Sequence, residues 1–202
     1  MHPKARLDPS FGRRERIVGV MGSSEDPHTE LAGAVGRLLA AEGYHLLTGG
    51  GGGVMAAVSE AFAAVPRRRG KVIGVLRAAG TARTVASAKA RRSYALKRAP
   101  NPWVEIPVYT HLPLSGAEGK DPLSRNHINV LTADAVVVLP GGSGTLSELE
   151  LAVEYGWPVI LCIADHTVGG HDAAALAQRY GPAVSAASGV PELRDGLKRL
   201  LG

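Results

Sequence analysis

The sequence predicts a single α/β domain of the Rossmann-like type, in which a doubly wound parallel sheet is covered by helices on both faces. Short and almost continuous apolar runs, typical of parallel strands buried on both faces, alternate with segments whose apolar residues recur at helical spacing. The chain has 202 residues, which suits one such domain, and no internal repeat or Pro/Ser-rich linker divides it. We therefore expect an N-terminal tail over residues 1–15 and one domain over residues 16–202.

Six apolar runs are predicted to be strands. They cover residues 17–21, 44–48, 72–76, 103–109, 135–139 and 158–163. Pro107 lies inside the fourth run and cannot donate a hydrogen bond to a neighbouring strand, so this run is expected at an edge of the sheet.

The segments between these runs have the spacing of amphipathic helices. They cover residues 29–42, 54–65, 123–132, 144–155, 173–180 and 191–201. In the first of them Leu31, Val35 and Leu38 fall on one face, and Gly43 supplies a typical C-terminal stop. Residues 183–185 are predicted to be a short link between the last two helices.

The composition excludes several classes of protein. Cys162 is the single cysteine of the sequence, which excludes an internal disulfide and a cysteine-based zinc or iron–sulfur site. In an apolar strand it is predicted to be a small buried hydrophobe. No apolar run reaches the roughly 18 residues of a membrane span, and the N-terminal residues lack the apolar core of a signal peptide. We expect a cytoplasmic protein with no membrane partner.

Positive charge is concentrated between residues 61 and 104, where the sequence has no Asp or Glu. The basic residues of this segment are Arg67, Arg68, Arg69, Lys71, Arg77, Arg83, Lys89, Arg91, Arg92, Lys97 and Arg98. Such a field attracts a nucleotide, a phosphate, RNA or an acidic lipid, although a solvated loop without a ligand has the same composition. Tyr94 and Trp103 are too few aromatic residues for a typical nucleic-acid surface, so nucleic acid is not the expected partner.

Two glycine-rich turns, at residues 48–53 and 140–145, follow the predicted second and fifth strands. In doubly wound sheets ligands bind outside the carboxyl ends of the strands, where glycine allows close approach and a helix N-terminus favours a phosphate. The alternative is that these glycines only form tight turns. No Lys follows Gly144, so the second turn is not a P-loop, and residues 19–24 lack the GxGxxG of dinucleotide-binding proteins.

Glu148 lies one helical turn beyond the second glycine-rich turn. A carboxylate in this position can simply interact with the helix dipole. Beside an anion site it can instead face a ribose, because cleavage of a glycosidic bond passes through an oxocarbenium-like state that a carboxylate stabilises.

Residues 140–148, PGGSGTLSE, resemble the PGGxGTxxE motif of the LOG family of phosphoribohydrolases. Arg125 precedes Glu148 by the separation typical of that family's catalytic Arg and Glu. Residues 20–24 resemble the family's first-strand GSS turn, residues 133–135 its AdA element, and residues 49–55 a GGGxxGLM loop that is one residue shorter. The shorter loop and the Arg125–Asn126 pair are more similar to the molybdenum-cofactor carrier proteins. The resemblance covers roughly residues 17–163.

The resemblance implies hydrolysis of a nucleoside 5′-monophosphate to a free base and ribose 5-phosphate, with Arg125 and Glu148 as catalytic residues. The positions it assigns to the substrate and its phosphate are Gly22, Ser23, Gly49, Gly50, Gly51, Gly53, Met55, Asn126, Pro140, Gly141, Gly142, Ser143, Gly144 and Thr145. It implies no metal and no resident cofactor, and a homodimer or larger homo-oligomer. The carrier alternative implies binding of molybdopterin or another phosphorylated heterocycle without chemistry.

Some residues depart from the LOG pattern. Asn126 replaces the usual Lys, Leu131 stands where many members have a second Arg, and Arg77 replaces the Pro that commonly ends the third strand. The segment 77–104 is long and basic for the family, which fits either a lid over an anionic substrate or a reshaped pocket. His111 and His127 flank the predicted site and are expected to be structural or solvent-exposed.

Overall fold

The computed structural model describes residues 15–78 and 99–202. The predicted N-terminal tail, apart from residue 15, and residues 79–98 of the basic segment lie outside the described residues, as does the hypothesis that this segment forms a lid.

The described residues form one parallel sheet of seven strands in the order β4-β3-β2-β1-β5-β6-β7. In chain order the strands β1 to β7 are Ile17–Met21, His45–Thr48, Val72–Leu76, Ile106–Tyr109, Ala135–Val138, Val159–Leu161 and Val184–Ala186. Strand β1 lies at the centre, and its Gly19 is in register with Leu47 of β2 and Val136 of β5.

Six α-helices flank this sheet in the described part of the chain. In chain order α1 to α6 are Thr29–Glu42, Val54–Ala63, Asn126–Thr132, Ser143–Glu154, Ala173–Tyr180 and Val190–Leu201. Helices α1, α2 and α6 pack on one face of the sheet, and α3, α4 and α5 on the other, so that each face has its own hydrophobic core. None of the helices in residues 15–78 and 99–202 is long and apolar enough to cross a membrane.

The predicted Rossmann-like fold is confirmed, and most element bounds agree to within a few residues. β4 is an edge strand, as the proline in it predicts. The link predicted at residues 183–185 is wrong, because Val184–Ala186 pairs with β6 as strand β7. Three residues are too few to show a strand period in the sequence.

The topology creates a switch point beside the central strand. From β1 the chain builds β2, β3 and β4 on one side and then returns to build β5, β6 and β7 on the other. The loops that follow β1 and β5 therefore diverge at the carboxyl edge, where doubly wound proteins bind ligands. The two glycine-rich turns follow β2 and β5, which are not adjacent in the sheet, because β1 lies between them.

Candidate ligand-binding site

A pocket of about 250 Å³ opens at the switch point. It is lined by Ser23, His28, Pro140, Gly141, Gly142, His166 and Thr167, which come from the loops after β1, β5 and β6. Four of these residues, Ser23 and the Pro-Gly-Gly triplet, belong to the predicted binding set.

Main-chain hydrogen bonds fix the walls of this pocket to one another. The Ser23 amide donates to the Pro140 carbonyl at 2.9 Å, which joins the loop after β1 to the loop after β5. The Gly141 amide donates to the Thr167 carbonyl at 3.1 Å, and the Gly169 amide donates to the Gly141 carbonyl at 2.9 Å. The three loops are therefore held in one arrangement before any ligand binds.

The N-terminus of α4 begins at the pocket wall and presents free donors beside it. Gly142 is the N-cap residue and no side chain caps the helix, so in the described part of the chain the amides of Ser143 and Gly144 have no protein acceptor. Gly142 and Ser143 are exposed. Gly141 must be glycine, since a Cβ atom there would lie 2.1 Å from Oγ1 of Thr145. Free amides and the positive end of the helix favour an anion at this point.

In the other glycine-rich turn, residues 49–53, main-chain groups form hydrogen bonds with other residues of the protein. The Gly50 carbonyl accepts from the Asn101 amide at 2.8 Å, and the Gly51 carbonyl accepts from Nδ2 of Asn101 at 3.0 Å. The Gly50 amide donates to Oγ1 of Thr48 at 3.0 Å. Met55 packs beside Gly51, where a Cβ atom would lie 2.8 Å from the methionine methyl group. This turn lines no part of the pocket.

The predicted catalytic pair comes together beneath these loops. Arg125 immediately precedes α3, and its guanidinium lies so close to Gly49 that a Cβ atom there would be 2.1 Å from Nη2. Nη1 of Arg125 lies 3.8 Å from Oε1 of Glu148, and both side chains are 10% exposed. Nδ2 of Asn129, one turn after Arg125, donates to the same Oε1 at 2.9 Å.

Burial dominates the electrostatics of this pair. It raises the pKa of the Glu148 carboxyl, against the opposing effects of Arg125 and of the Asn129 hydrogen bond. Burial likewise lowers the pKa of Arg125, which Glu148 opposes and Arg77 reinforces. Nε and Nη1 of Arg125 are buried and have no hydrogen-bond partner among the described residues. The pair is thus costly to bury, as expected of a functional site or of a structural ion pair.

Several predicted binding residues lie near the pocket without lining it. Asn126 is buried, and its Nδ2 donates to Oγ of Ser147 on α4 at 3.2 Å. Thr145 is buried against Gly141, and Gly144 packs against Gly116. Gly22 packs against Val54, the first residue of α2. These four residues hold the loops together.

His127 is structural, as expected, because its ring contacts the Tyr155 hydroxyl and the Asp121 carbonyl. His111 is exposed. Cys162 is buried, as predicted, and burial raises the pKa of its thiol to about 11.

Sequence reasoning missed Asn101, which binds the main chain of the turn at residues 49–53, and Asn129, which donates to the Glu148 carboxylate. It also missed His28 and His166 in the pocket wall. For Asn129 a signal existed, since it falls one helical turn after Arg125. The other three are brought to the site by contacts between segments that are distant in sequence.

Comparison with known proteins shows a matching family and several α/β structures with the same fold. The model of the SLOG cluster4 family matches residues 15–184. No curated protein sequence matches the chain.

Solved structures resemble the whole domain. The molybdenum cofactor binding protein of the phototrophic bacterium Rippkaea orientalis is 28% identical, with a TM-score of 0.69 over 94% of this chain and 99% of that one. The molybdenum cofactor carrier protein of Chlamydomonas reinhardtii is 26% identical, with a TM-score of 0.67 over 93% and 99%. DNA processing protein A of Helicobacter pylori, at 15% identity and a TM-score of 0.57 over 91% and 80%, shares the fold alone.

Proposed function

The chain belongs to the SLOG cluster4 family, and from that premise and the pocket geometry we propose that it binds a small phosphorylated heterocycle, of the molybdenum-cofactor type, as a carrier. The phosphate of the cargo binds to the loop of residues 140–144, at the start of α4. The observation that carries the proposal is the pocket at the switch point, whose lining residue Gly142 is the N-cap of a helix with unpaired amides in its first turn.

The size of the pocket supports this assignment. Sites that enclose a whole drug-sized ligand measure roughly 300–1,000 Å³, whereas this pocket has about 250 Å³. It suits the phosphate end of a ligand whose heterocycle extends outward along the carboxyl edge. Two structures more than a quarter identical to this chain are described as binding or carrying molybdenum cofactor, which supports the same ligand class.

The geometry also favours binding over catalysis. Glu148 does not line the pocket, and its side chain is nine-tenths buried against Arg125 and Asn129. A carrier needs only the open amide-lined loop, whereas a hydrolase needs the carboxylate to reach the sugar.

The test is to load the purified protein with molybdenum cofactor and to measure what remains bound after gel filtration, beside the variant Gly142→Asp. Gly142 has free space where a Cβ atom would be, and Asp is a favourable N-cap, so this variant should be as stable as the wild type. Its carboxylate nevertheless stands in the pocket, and we expect retention of the cofactor to be lost. Leu200→Asp, at an exposed position of α6, is the matched control for charge. Equal retention by all three proteins, or by none, would refute the proposal.

A second candidate function is the phosphoribohydrolase reaction, and the contact between Arg125 and Glu148 favours it. In that reaction water adds across the bond between C1′ of the ribose and the base, with hydroxide going to C1′ and the proton to the base. Burial raises the pKa of the Glu148 carboxyl, which makes its carboxylate a stronger base toward the attacking water.

The two functions are separated by incubating the protein with AMP and analysing the products by chromatography. Hydrolysis predicts that adenine and ribose 5-phosphate form, that Glu148→Gln stops their formation, and that Glu154→Gln, exposed on the same helix, does not. Retention of AMP without any product would exclude AMP hydrolysis and support the carrier.

A further inference from the structure

Two histidines line the pocket opposite the Pro-Gly-Gly loop. His28 precedes α1, and His166 lies in the loop after β6. Their ring centroids are 4.7 Å apart and the ring planes meet at 68°. Their contact brings together two imidazoles from segments 138 positions apart in the chain, at the entrance of an amide-lined pocket.

The backbone that presents these rings is strained. Among the described residues, non-glycine residues with positive φ are His28 at 39°, Arg67 at 58° and Ala164 at 47°. Two of the three therefore fall in the loops that present the two histidines. Such conformations cost on the order of 1–2 kcal/mol per residue and tend to accumulate at functional sites.

Hydrogen bonds hold both loops in these conformations. Oγ of Ser23 accepts from the amides of Glu25 and Asp26 at 3.2 and 2.9 Å, and the His28 amide donates to Oδ1 of Asp26 at 3.1 Å. The His166 amide donates to the Ile163 carbonyl at 2.9 Å, and the neighbouring Thr167 accepts from Gly141. The main chain at both histidines is thus held close to the loop that carries the free amides.

The chemistry of the surrounding groups selects an anion. Imidazole N–H groups and free amides are all donors, and the positive end of α4 repels a cation from the same space. The carboxylate of Asp26 lies beside the pair, with its Oδ2 3.6 Å from Nε2 of His28. A phosphate is the common group of this size that accepts several such bonds at once.

We propose that His28 and His166 bind the phosphate of the ligand directly, each through a ring N–H, together with the amides at the start of α4. This inference rests on the proposed function, since it assigns two further contacts to the same anion site. Neither histidine belongs to the glycine motif by which the site is recognised in the sequence.

The test uses inorganic phosphate as the probe and ¹⁵N-labelled full-length protein. The shifts of the Gly142, Ser143 and Gly144 amides are followed during the titration in the wild type, His28→Gly, His166→Phe and the control His171→Phe. Gly tolerates the left-handed backbone of position 28, and His171 is exposed and outside the pocket lining. Neither Gly nor Phe has a side-chain donor, and losing one donor to a charged group should weaken phosphate binding about tenfold in each pocket variant. The control should bind phosphate as the wild type does.

The outcomes separate the two proposals. Saturable binding by the wild type that is equally tight in both pocket variants would overturn the role of the histidines and leave the phosphate site standing. No saturable binding by the wild type would overturn both proposals. Shifts of core amides in the absence of phosphate would show whether His28→Gly disturbs the fold, and in that case His166→Phe, at an exposed position, decides the question alone.

Discussion

The two glycine-rich turns have similar compositions and contrasting surroundings. In residues 49–53 the main chain is engaged by Asn101 and Thr48, and the Arg125 guanidinium lies directly on Gly49. In residues 140–145 the neighbouring loops bond to Gly141, whereas the amides of Ser143 and Gly144 have no acceptor among the residues that the structure describes. The first turn is a structural support, and the second turn faces the pocket.

This contrast shows what a glycine cluster can predict. Glycine indicates that something approaches the backbone closely or that φ is positive, but it does not indicate what approaches. At Gly49 and Gly50 the neighbours are side chains of the protein itself, Arg125 and Leu76. At Gly142, no atom of the described residues other than Gly142 and its two chain neighbours lies within 4 Å of where a Cβ atom would be, so a ligand can occupy that space.

The first prediction is that a glycine substitution costs far more stability in the first turn than in the second. Gly53 has a φ of 57°, and a Cβ atom there would lie 2.4 Å from the Ser23 carbonyl oxygen. Gly53→Ala should therefore lower the free energy of unfolding by about 2–4 kcal/mol, through left-handed strain and a backbone clash. Gly142→Ala, in an extended conformation with free space around it, should change it by less than about 0.5 kcal/mol. Urea unfolding of both variants measures the difference. If they lose equal stability, the contrast between the turns is wrong.

The next prediction concerns the contribution to stability of Asn101, whose side chain binds the main chain of the first turn. Asn101 is 5% exposed; its Nδ2 donates to the Gly51 carbonyl, and its Oδ1 accepts from the Trp103 amide at 3.2 Å. Asn101→Ala removes both bonds and leaves their partners unpaired, so the free energy of unfolding should fall by about 2 kcal/mol. Ser143→Ala, at an exposed position of the second turn, is the control and should be neutral. A neutral Asn101→Ala would mean that the first turn keeps its shape without this support.

The sequence predicted local features well and long-range contacts poorly. The bounds of β1, α1, β3 and α5 agree with the prediction, because hydrophobic period and a glycine stop are encoded within each segment. The meeting of Arg125 with Glu148 followed from the resemblance. Strand β7 was missed because it is recognised only by its pairing with β6. The support of Gly51 by Asn101 and the contact of His28 with His166 were missed because each joins segments that are far apart in sequence.

The smallest expected change in stability concerns the ion pair of Arg125 and Glu148, which links the two turns. Arg125 contacts Gly49 of the first turn, and Glu148 follows the second turn. Burial raises the pKa of Glu148 above the ordinary carboxyl value of 4.5, so the folded protein binds this proton more tightly than the unfolded chain does. The stabilisation from this group is therefore complete below the unfolded pKa and is lost as pH rises through the folded pKa. The free energy of unfolding of the wild type, relative to Glu148→Gln, should decline from about pH 4.5 upward when unfolding is measured across pH. Arg125→Met removes the opposing cation and raises the folded pKa of Glu148 further, so the decline should extend to higher pH. A difference that grows with pH would instead mean that the ionised pair is the favoured state and that Arg125 outweighs burial.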